Sequence, residues 1–274
     1  MSKTIAFIGA GNMGGAIIRA TCRVVDPREV AIYDVLAEKA DTLAAETGCV
    51  AAGSGAEALD GAAYVMLCVK PQYYADTLRG LLPALKKNAD AGVKQTLASI
   101  VTGAKMQTIA GLLAEGGLDL PIIRIMPNTP ASVGKGVMLL ARSEAVTEEN
   151  FAAFQQIISG CGRLVPMSEH MLDIATPVSG CSPAFVYMFI DALADGGVQI
   201  GVPREQARIL AAQTVLGSAA MVLESGIHPG ELKDNVCSPA GSTIAGVEKL
   251  EEHAFRYAVA QSIVAAYERN CQLG

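Results

Sequence analysis

The feature that most constrains this chain is a short segment near its start, where an apolar run passes directly into a glycine-rich turn. Residues 5–14 read IAFIGAGNMG, which places Gly9, Gly11 and Gly14 at the spacing GxGxxG. The first glycine permits a tight turn, the second lets the backbone approach a diphosphate, and the third permits close helix packing. Because a helical pattern follows, the segment predicts a strand, a turn and a helix whose N-terminus binds the phosphates of a dinucleotide.

A carboxylate stands twenty residues after Gly14, at the end of a second apolar run over residues 30–33. At this place in a dinucleotide-binding unit, an acidic side chain accepts hydrogen bonds from the ribose hydroxyls of NAD and repels the 2′-phosphate of NADP. Asp34 therefore favours NADH over NADPH as the cofactor. The alternative is that Asp34 caps the helix predicted after it, and one residue could serve both purposes.

Further apolar runs alternate with helix-sized segments as far as residue 165. The strand candidates are residues 5–8, 30–33, 64–69, 96–101, 122–125, 137–141 and 162–165. Continuous apolar strands separated by helices are typical of a parallel sheet that is covered on both faces. We therefore expect an α/β Rossmann domain with a doubly wound, mainly parallel sheet over residues 1–166, followed by an all-helical domain over residues 167–274.

In the second half, apolar residues recur at helical spacing. Glycine and proline mark breaks at residues 180–183, 201–203, 225–229 and 238–241, which predicts four or five helices. Residues 209–223 are apolar almost all round, so we expect this helix to be buried on every side. A domain of this size cannot enclose such a helix alone, which predicts a homodimer formed through this half.

Composition excludes several classes of function. Hydrophobic residues make up 51% of the chain and charged residues 18%, which is typical of a globular protein. The net charge of −6 argues against a nucleic-acid partner and leaves a small-molecule substrate as the expectation. We find no apolar run of membrane-spanning length and no basic leader before the first strand, so we expect a cytoplasmic protein without a membrane partner.

Metal and hydrolase chemistry have no support in the residue pattern. The seven cysteines form no CxxC pair, and His170, His228 and His253 lack metal-ligand spacing. Neither G-x-S-x-G nor H-E-x-x-H occurs. We therefore expect free thiols in a reducing compartment, histidines on helix surfaces, and no metal site.

Two further segments carry groups that could bind ligands. Lys70 and Pro71 follow a predicted strand at the sheet edge where doubly wound proteins bind ligands, so Lys70 could contact the cofactor. A solvated lysine before a proline-started helix is the alternative.

Residues 228–244 are dense in polar and turn residues within an otherwise apolar domain. Residues 238–241 look like a helix start, so the amides of Gly241, Ser242 and Thr243 would point together at an anion such as a carboxylate. The alternative is purely structural, with Ser238 as the N-cap and Pro239 as the first helical residue.

Six motifs in this order resemble those of the pyrroline-5-carboxylate reductases, and the resemblance covers essentially the whole chain. They are residues 7–14 (FIGAGNMG), 68–71 (CVKP), 126–130 (MPNTP), 179–185 (SGCSPAF), 228–236 (HPGELKDNV) and 238–244 (SPAGSTI). The resemblance implies a Rossmann domain, a helical dimerisation domain, and the NAD(P)H-dependent reduction of 1-pyrroline-5-carboxylate to proline, the last step of proline biosynthesis. It also implies a homodimer that often assembles further into a homodecamer.

The resemblance assigns roles to single residues. The cofactor would contact Gly9, Ala10, Gly11, Asn12, Met13 and Gly14, then Val69, Lys70 and Pro71, with the side chains of Glu169 and Asn235 near the nicotinamide. The substrate carboxylate would bind at Ser238, Gly241, Ser242 and Thr243, and the Thr243 hydroxyl would be the catalytic group, hydrogen-bonded to the ring nitrogen.

The chain departs from the family pattern in two turns. The family usually has SGSGPAY and SPGGTT, whereas this chain has Cys181, Ser182 and Phe185 in the first turn and Ala240 and Ser242 in the second. These departures put the geometry of the turns in question rather than the activity. Many members also have Ser, Asn or Arg near the second strand end to contact a 2′-phosphate, so Asp34 supports NADH.

Two other functions stay open at this point. A β-hydroxyacid dehydrogenase shares the glycine-rich opening and the helical second half, but it needs a catalytic lysine early in that half. The helical domain has only Lys233 and Lys249, and neither lies in the helix after Pro183. A regulatory protein that binds NAD without turnover would carry the same turn, and an absorbance assay with pyrroline-5-carboxylate and NADH distinguishes it from an enzyme.

Overall fold

The computed structural model describes residues 3–273, which divide into two compact units. The first unit contains the chain up to Gly180, and the second contains Cys181–Cys271. The first is an α/β unit and the second is helical, so the predicted fold class is confirmed.

The first unit is built on an eight-stranded sheet with the order β3-β2-β1-β4-β5-β6-β7-β8. The strands are β1 (Lys3–Ile8), β2 (Val30–Tyr33), β3 (Val50–Ala51), β4 (Ala62–Leu67), β5 (Thr96–Ser99), β6 (Ile122–Met126), β7 (Gly136–Arg142) and β8 (Gly162–Pro166). Neighbouring strands are parallel except for β6 and β7, which are antiparallel. Each predicted strand is present, and the edge strand β3 was missed because two residues give no pattern.

Helices cover the sheet on both faces. They are α1 (Asn12–Thr21), α2 (Ala37–Thr47), α3 (Gly55–Leu59), α4 (Tyr74–Asp90), α5 (Met106–Glu115), α6 (Glu148–Ile158) and α7 (Glu169–Thr176). Ile5 and Phe7 of β1 join one core cluster, whereas the alternate residues Ala6 and Ile8 join a second. Burial of each large apolar side chain contributes roughly 1.5–3 kcal/mol, so both layers fix the strand ends that carry the loops.

Helix α7 lies in the first unit, although it follows the predicted domain boundary at residue 166. It packs on β6 and β7, and its Glu169 and Asp173 form ion pairs with Arg124 of β6. The chain therefore leaves the first unit at Gly180. The sequence placed the division where the strand pattern ends, because a helical pattern does not show which unit a helix will join.

The second unit consists of α8 (Ser182–Gln199), α9 (Arg204–Ser225), α10 (Pro229–Val236), α11 (Ser242–Glu252) and α12 (Phe255–Leu273). The break predicted at residues 180–183 was wrong, since a π-helical turn (Pro177–Cys181) joins α7 to α8 and Pro183 sits in a first turn that needs no amide from it. An unpredicted break follows α11, where Ala254 has φ +53°. Within the described residues, five helices therefore follow residue 168 when α7 and α8 are counted as one continuous helix, which agrees with the predicted four or five.

Large apolar side chains are exposed on α9 in the single chain. Ala207 and Ala211 are buried with Ala194 of α8, whereas Ile209 is 64% exposed and Leu223 is 65% exposed. The expectation that this helix is buried on every side therefore does not hold within one chain. Two helical stretches, Glu169–Gln199 and Arg204–Ser225, are long and apolar enough to cross a membrane by length and composition, a test that core helices of soluble proteins also pass.

Candidate functional site

The glycine-rich turn lies where the strand order reverses, at the carboxyl ends of β1 and β4. The amide of Gly9 donates to the carbonyl of Tyr33 (2.8 Å), and the amide of Cys68 donates to the carbonyl of Ile8 (2.8 Å). Gly9 has φ +107°, and a Cβ there would lie 2.6 Å from the carbonyl oxygen of Cys68. A Cβ at Gly14 would lie 2.5 Å from the carbonyl oxygen of Gly9, so packing of the turn itself requires both glycines.

Gly11 is different, because the fold does not require it. Its φ is −68°, and a Cβ built there meets no atom within 4 Å. It is the N-cap residue of α1, and no side chain caps the first-turn amides of that helix. Open space beside uncapped amides fits a diphosphate, which would accept their hydrogen bonds and be favoured by the helix dipole.

Asp34 holds the glycine-rich turn to the second strand. Its Oδ2 accepts a hydrogen bond from the amide of Ala10 (2.7 Å), and its Oδ1 accepts one from the amide of Leu36 (2.9 Å). Helix α2 has Leu36 as its N-cap residue and no side-chain capping bond, so the alternative that Asp34 caps this helix was wrong. Sequence reasoning did not predict the contact with Ala10, because a long-range backbone contact leaves no local pattern.

The residues after β4 lie beside the same turn. The amide nitrogen of Val69 would lie 3.2 Å from a Cβ on Gly9, and burial raises the pKa of the Cys68 thiol, whose Cβ packs near Gly14. Lys70 is exposed, and its carbonyl accepts a hydrogen bond from Tyr73 (3.0 Å) in the turn that starts at Pro71. Lys70 is thus available to a ligand, and its contact with a cofactor stays a prediction.

A buried arginine that sequence reasoning missed lies on β6. Arg124 Nη1 donates to Oε1 of Glu169 (3.1 Å), and its Nη2 donates to Oδ1 of Asp173 (2.7 Å). The same Oε1 of Glu169 accepts from the amide of Met106 (2.7 Å), the first residue of α5. One charged residue inside the apolar run 122–126 was the signal that could have found it. Glu169 therefore contacts Arg124 and α5, and its place near a nicotinamide stays a prediction.

Asn128, in the MPNTP motif, connects three segments. Its side chain is almost fully buried; Oδ1 accepts from the amide of Val137 (2.9 Å), and Nδ2 donates to the carbonyl of Ser179 (2.9 Å). The sequence predicted only a loop shaped by prolines here. The structure adds that this loop holds the end of the segment through which the chain leaves the first unit.

A second set of uncapped amides lies in the second unit. The amide of Gly241 donates to the carbonyl of Ser238 (3.0 Å), and α11 begins at Ser242 with Gly241 as its N-cap residue. The alternative with Ser238 as N-cap and Pro239 as first helical residue was therefore wrong. No side chain caps α11, and Ser242 and Thr243 are exposed, so this helix start can accept a small carboxylate.

Two other residues of the 228–244 segment occupy helix α10. Asn235 is exposed near the end of the helix, and its contact with a cofactor stays a prediction. His228 is the N-cap residue, and its Nδ1 accepts a hydrogen bond from the amide of Gly230 (3.1 Å). Within residues 3–273, no group of three His, Cys, Asp or Glu side chains could hold a metal ion, and the seven cysteines are free thiols.

The turn before α11 contains a strained alanine. Ala240 has φ +58°, a conformation that costs an L-residue about 1–2 kcal/mol and costs glycine little. Greater freedom of glycine in the unfolded chain offsets part of this relief, so we expect Ala240→Gly to raise the free energy of unfolding by only about 0.5–1 kcal/mol in urea titrations. The matched change Ala245→Gly, inside α11, should lower it by about 1 kcal/mol. A loss of stability in both variants would contradict the left-handed turn.

The doubly wound sheet and the glycine turn beside an uncapped helix define a dinucleotide-binding protein of the Rossmann type. Two family descriptions match the chain: "Pyrroline-5-carboxylate reductase dimerisation" over residues 169–273 and "NADP oxidoreductase coenzyme F420-dependent" over residues 4–91. Pyrroline-5-carboxylate reductases from Escherichia coli (strain K12) and Methanosarcina acetivorans are 40% and 38% identical to it; each alignment covers 100% of this chain, and 99% and 98% of the relative.

Solved structures agree with these relatives. The Coxiella burnetii pyrroline-5-carboxylate reductase superposes with a TM-score of 0.90 at 28% identity and covers 100% of this chain and 99% of its own. The Plasmodium falciparum pyrroline carboxylate reductase with NADP bound has a TM-score of 0.83 at 30% identity, over 98% and 97%. The chain belongs to the pyrroline-5-carboxylate reductase family, so the resemblance is confirmed and the chain is an oxidoreductase. The β-hydroxyacid dehydrogenase alternative is set aside.

Proposed function

We propose that this chain reduces 1-pyrroline-5-carboxylate to L-proline with NADH as its preferred cofactor. The observation that carries the proposal is a pair of uncapped helix N-termini, one at Gly11 in α1 and one at Gly241 in α11. The first suits the diphosphate of a dinucleotide and the second suits the carboxylate of an amino-acid-like substrate. The names of the relatives from Escherichia coli and Methanosarcina acetivorans support this reaction.

The proposed reaction needs little acid–base machinery. A bound reduced nicotinamide supplies the hydride that the imine carbon accepts. The amides of Ser242 and Thr243 bind the substrate carboxylate, with Gly241 and Ser238 beside them. The Gly241 amide, which was expected to share in this binding, instead donates to the carbonyl of Ser238. The Thr243 hydroxyl hydrogen-bonds the ring nitrogen, orients the C=N bond and assists delivery of its proton. Because a protonated imine is already electrophilic, positioning supplies most of the rate.

On the cofactor side, the proposed contacts are Gly9, Ala10, Gly11, Asn12, Met13, Gly14, Asp34, Val69, Lys70, Pro71, Glu169 and Asn235. The NADP-bound relative from Plasmodium falciparum supports binding of a pyridine nucleotide at the glycine turn. The direct test of the function is an absorbance assay in which purified protein oxidises NADH only when pyrroline-5-carboxylate is added. Absence of turnover with both NADH and NADPH would overturn the proposal.

The preference for NADH rests on Asp34 and its neighbours. The carboxylate lies at the end of β2, and residues 35–38 (VLAE) bring no basic side chain to meet a 2′-phosphate. Asp34→Asn removes the charge and leaves one oxygen where two accept hydrogen bonds from the amides of Ala10 and Leu36. Because the lost hydrogen bond affects both nucleotides, we expect the ratio of kcat/KM for NADPH to that for NADH still to rise about tenfold. Glu38→Gln removes a neighbouring charge and should leave the ratio unchanged. A wild-type enzyme that prefers NADPH would refute the assignment.

We further propose that the enzyme works as a homo-oligomer through the helical unit. The exposed apolar side chains of α8 and α9 and the dimerisation family matched over residues 169–273 support a homodimer. Light scattering of the purified protein distinguishes such a dimer from a decamer by its mass. The seven free thiols support a reducing compartment such as the cytoplasm.

A further inference from the structure

Helix α7 is held to the first unit by one apolar anchor and by a set of polar contacts. The anchor is Leu172, which packs with Met126, Leu139 and Ala141. Leu172 is its one fully buried large side chain, and the rest of the helix is partly or fully exposed. Arg124, by contrast, has a side chain only 2% exposed, and its guanidinium contacts carboxylates of α7 at Glu169 and Asp173. Since a buried guanidinium depends on such partners and its fork is planar, this contact fixes the angle at which α7 crosses β6.

The same cluster reaches the edge of the sheet where the cofactor is proposed to bind. Glu169 also accepts the hydrogen bond of the Met106 amide, and α5 begins there, after the carboxyl end of β5. The glycine turn follows β1 at this same edge of the parallel sheet. Arg124 and Glu169 therefore join β6, α5 and α7 at the cofactor edge.

The other end of the helical segment is held from the same stretch of chain. Asn128, four residues after Arg124, donates to the carbonyl of Ser179 and accepts from the amide of Val137. Ser179 directly precedes Gly180, where the chain leaves the first unit. Residues 124–128 thus contact the chain at the start of α7, through Arg124, and just beyond its end, through Asn128. Both contacts are hydrogen bonds of buried polar groups, which hold only at defined distances and angles.

We infer that Arg124 is a positioning residue for the reduction. It acts by holding Glu169 and α7 at the cofactor edge and touches no reacting atom. This inference rests on the proposed function. A lysine at position 124 keeps the positive charge but, as a single ammonium group, does not reproduce the fork that bridges two carboxylates. The charge and the geometry of the cluster can therefore be separated by one conservative substitution.

The experiment compares Arg124→Lys with Arg142→Lys. Arg142 lies on the adjacent strand opposite Ile123 and pairs with Glu148 of α6, so it receives the same chemical change without contacting α7. For Arg124→Lys we expect kcat with pyrroline-5-carboxylate to fall about tenfold, while the dissociation constant for NADH stays within about twofold of wild type. Amide hydrogen exchange of residues 169–176 should accelerate, while that of α1 should not. Arg142→Lys should keep the wild-type kcat and the wild-type exchange of α7.

Three results would overturn the inference. A wild-type kcat in Arg124→Lys, or an equal loss in Arg142→Lys, removes the specific role of Arg124. A fall in kcat that merely follows the fraction of unfolded protein, measured by circular dichroism at the assay temperature, shows a stability effect only. If wild type itself shows no turnover, the proposed function fails first, and the exchange measurement alone then decides whether Arg124 anchors α7.

Discussion

Replacing Gly11 by alanine is expected to remove most of the nucleotide affinity while leaving the protein as stable as wild type. A methyl group at Gly11 meets no atom within 4 Å and the backbone has φ −68°, so the fold accepts it. The same methyl group projects into the space that a diphosphate would occupy above the amides of α1. We expect the dissociation constant for NADH, measured by fluorescence titration, to rise about 100-fold, or roughly 2.7 kcal/mol.

Gly9→Ala and Gly14→Ala are the matched comparisons, because they lie in the same turn but meet backbone atoms. The new Cβ would lie 2.6 Å from the Cys68 carbonyl oxygen in the first variant and 2.5 Å from the Gly9 carbonyl oxygen in the second. Both should lose roughly 3 kcal/mol or more of folding free energy in addition to nucleotide affinity. Normal NADH affinity in a folded Gly11→Ala protein would place the diphosphate somewhere other than this turn.

The second large effect is expected at Thr243. If its hydroxyl orients the ring nitrogen, Thr243→Ala should lower kcat/KM for pyrroline-5-carboxylate about tenfold or more, roughly 1.4 kcal/mol or above. The side chain is exposed in the first turn of α11, so its removal should leave the thermal unfolding temperature almost unchanged. Steady-state kinetics at saturating NADH measures the effect on the imine alone.

Thr243→Ser provides the control, since it keeps a hydroxyl at the same position and loses only a methyl group. We expect it to retain most of the wild-type kcat/KM, which would assign the loss in Thr243→Ala to the hydroxyl. If both variants behave alike, or if neither differs from wild type, Thr243 does not contact the reacting ring and the catalytic assignment is wrong.

Local patterns were sufficient to predict seven of the eight strands of the sheet. Strand β2 matches its predicted residues 30–33, because a buried parallel strand is a continuous apolar run between helices. The same reasoning failed where the pattern is not local. The π-helical turn over Pro177–Cys181 carries the glycine and proline expected at a break, yet the helix continues through it. The strands on which α7 packs could not be predicted either, because helical spacing shows that one face is apolar but not which element covers it.

The candidate site was predictable to a different degree in each of its parts. The glycine spacing predicted the cofactor turn because each glycine has its own geometric role: a tight turn, room for a diphosphate, and close helix packing. Arg124 was missed because a single charged residue in an apolar strand does not show whether it is buried or which groups it contacts. Its partners, the carboxylates of Glu169 and Asp173, lie more than forty residues further along the chain. Ser238 was expected as one possible N-cap, whereas the helix starts later, at Ser242, since the turn itself consumes the amide of Gly241.

The hydrogen bond from the Ala10 amide to Asp34 couples coenzyme selectivity to the affinity for either coenzyme. The carboxylate proposed to discriminate between the two nucleotides also braces the loop that would hold their common diphosphate. Any replacement that removes the carboxylate to accommodate the 2′-phosphate also weakens the hydrogen bond to the Ala10 amide. Variants selected for altered coenzyme usage should consequently start with poorer retention of either coenzyme, and recovery should require compensating changes around the loop rather than at the ribose.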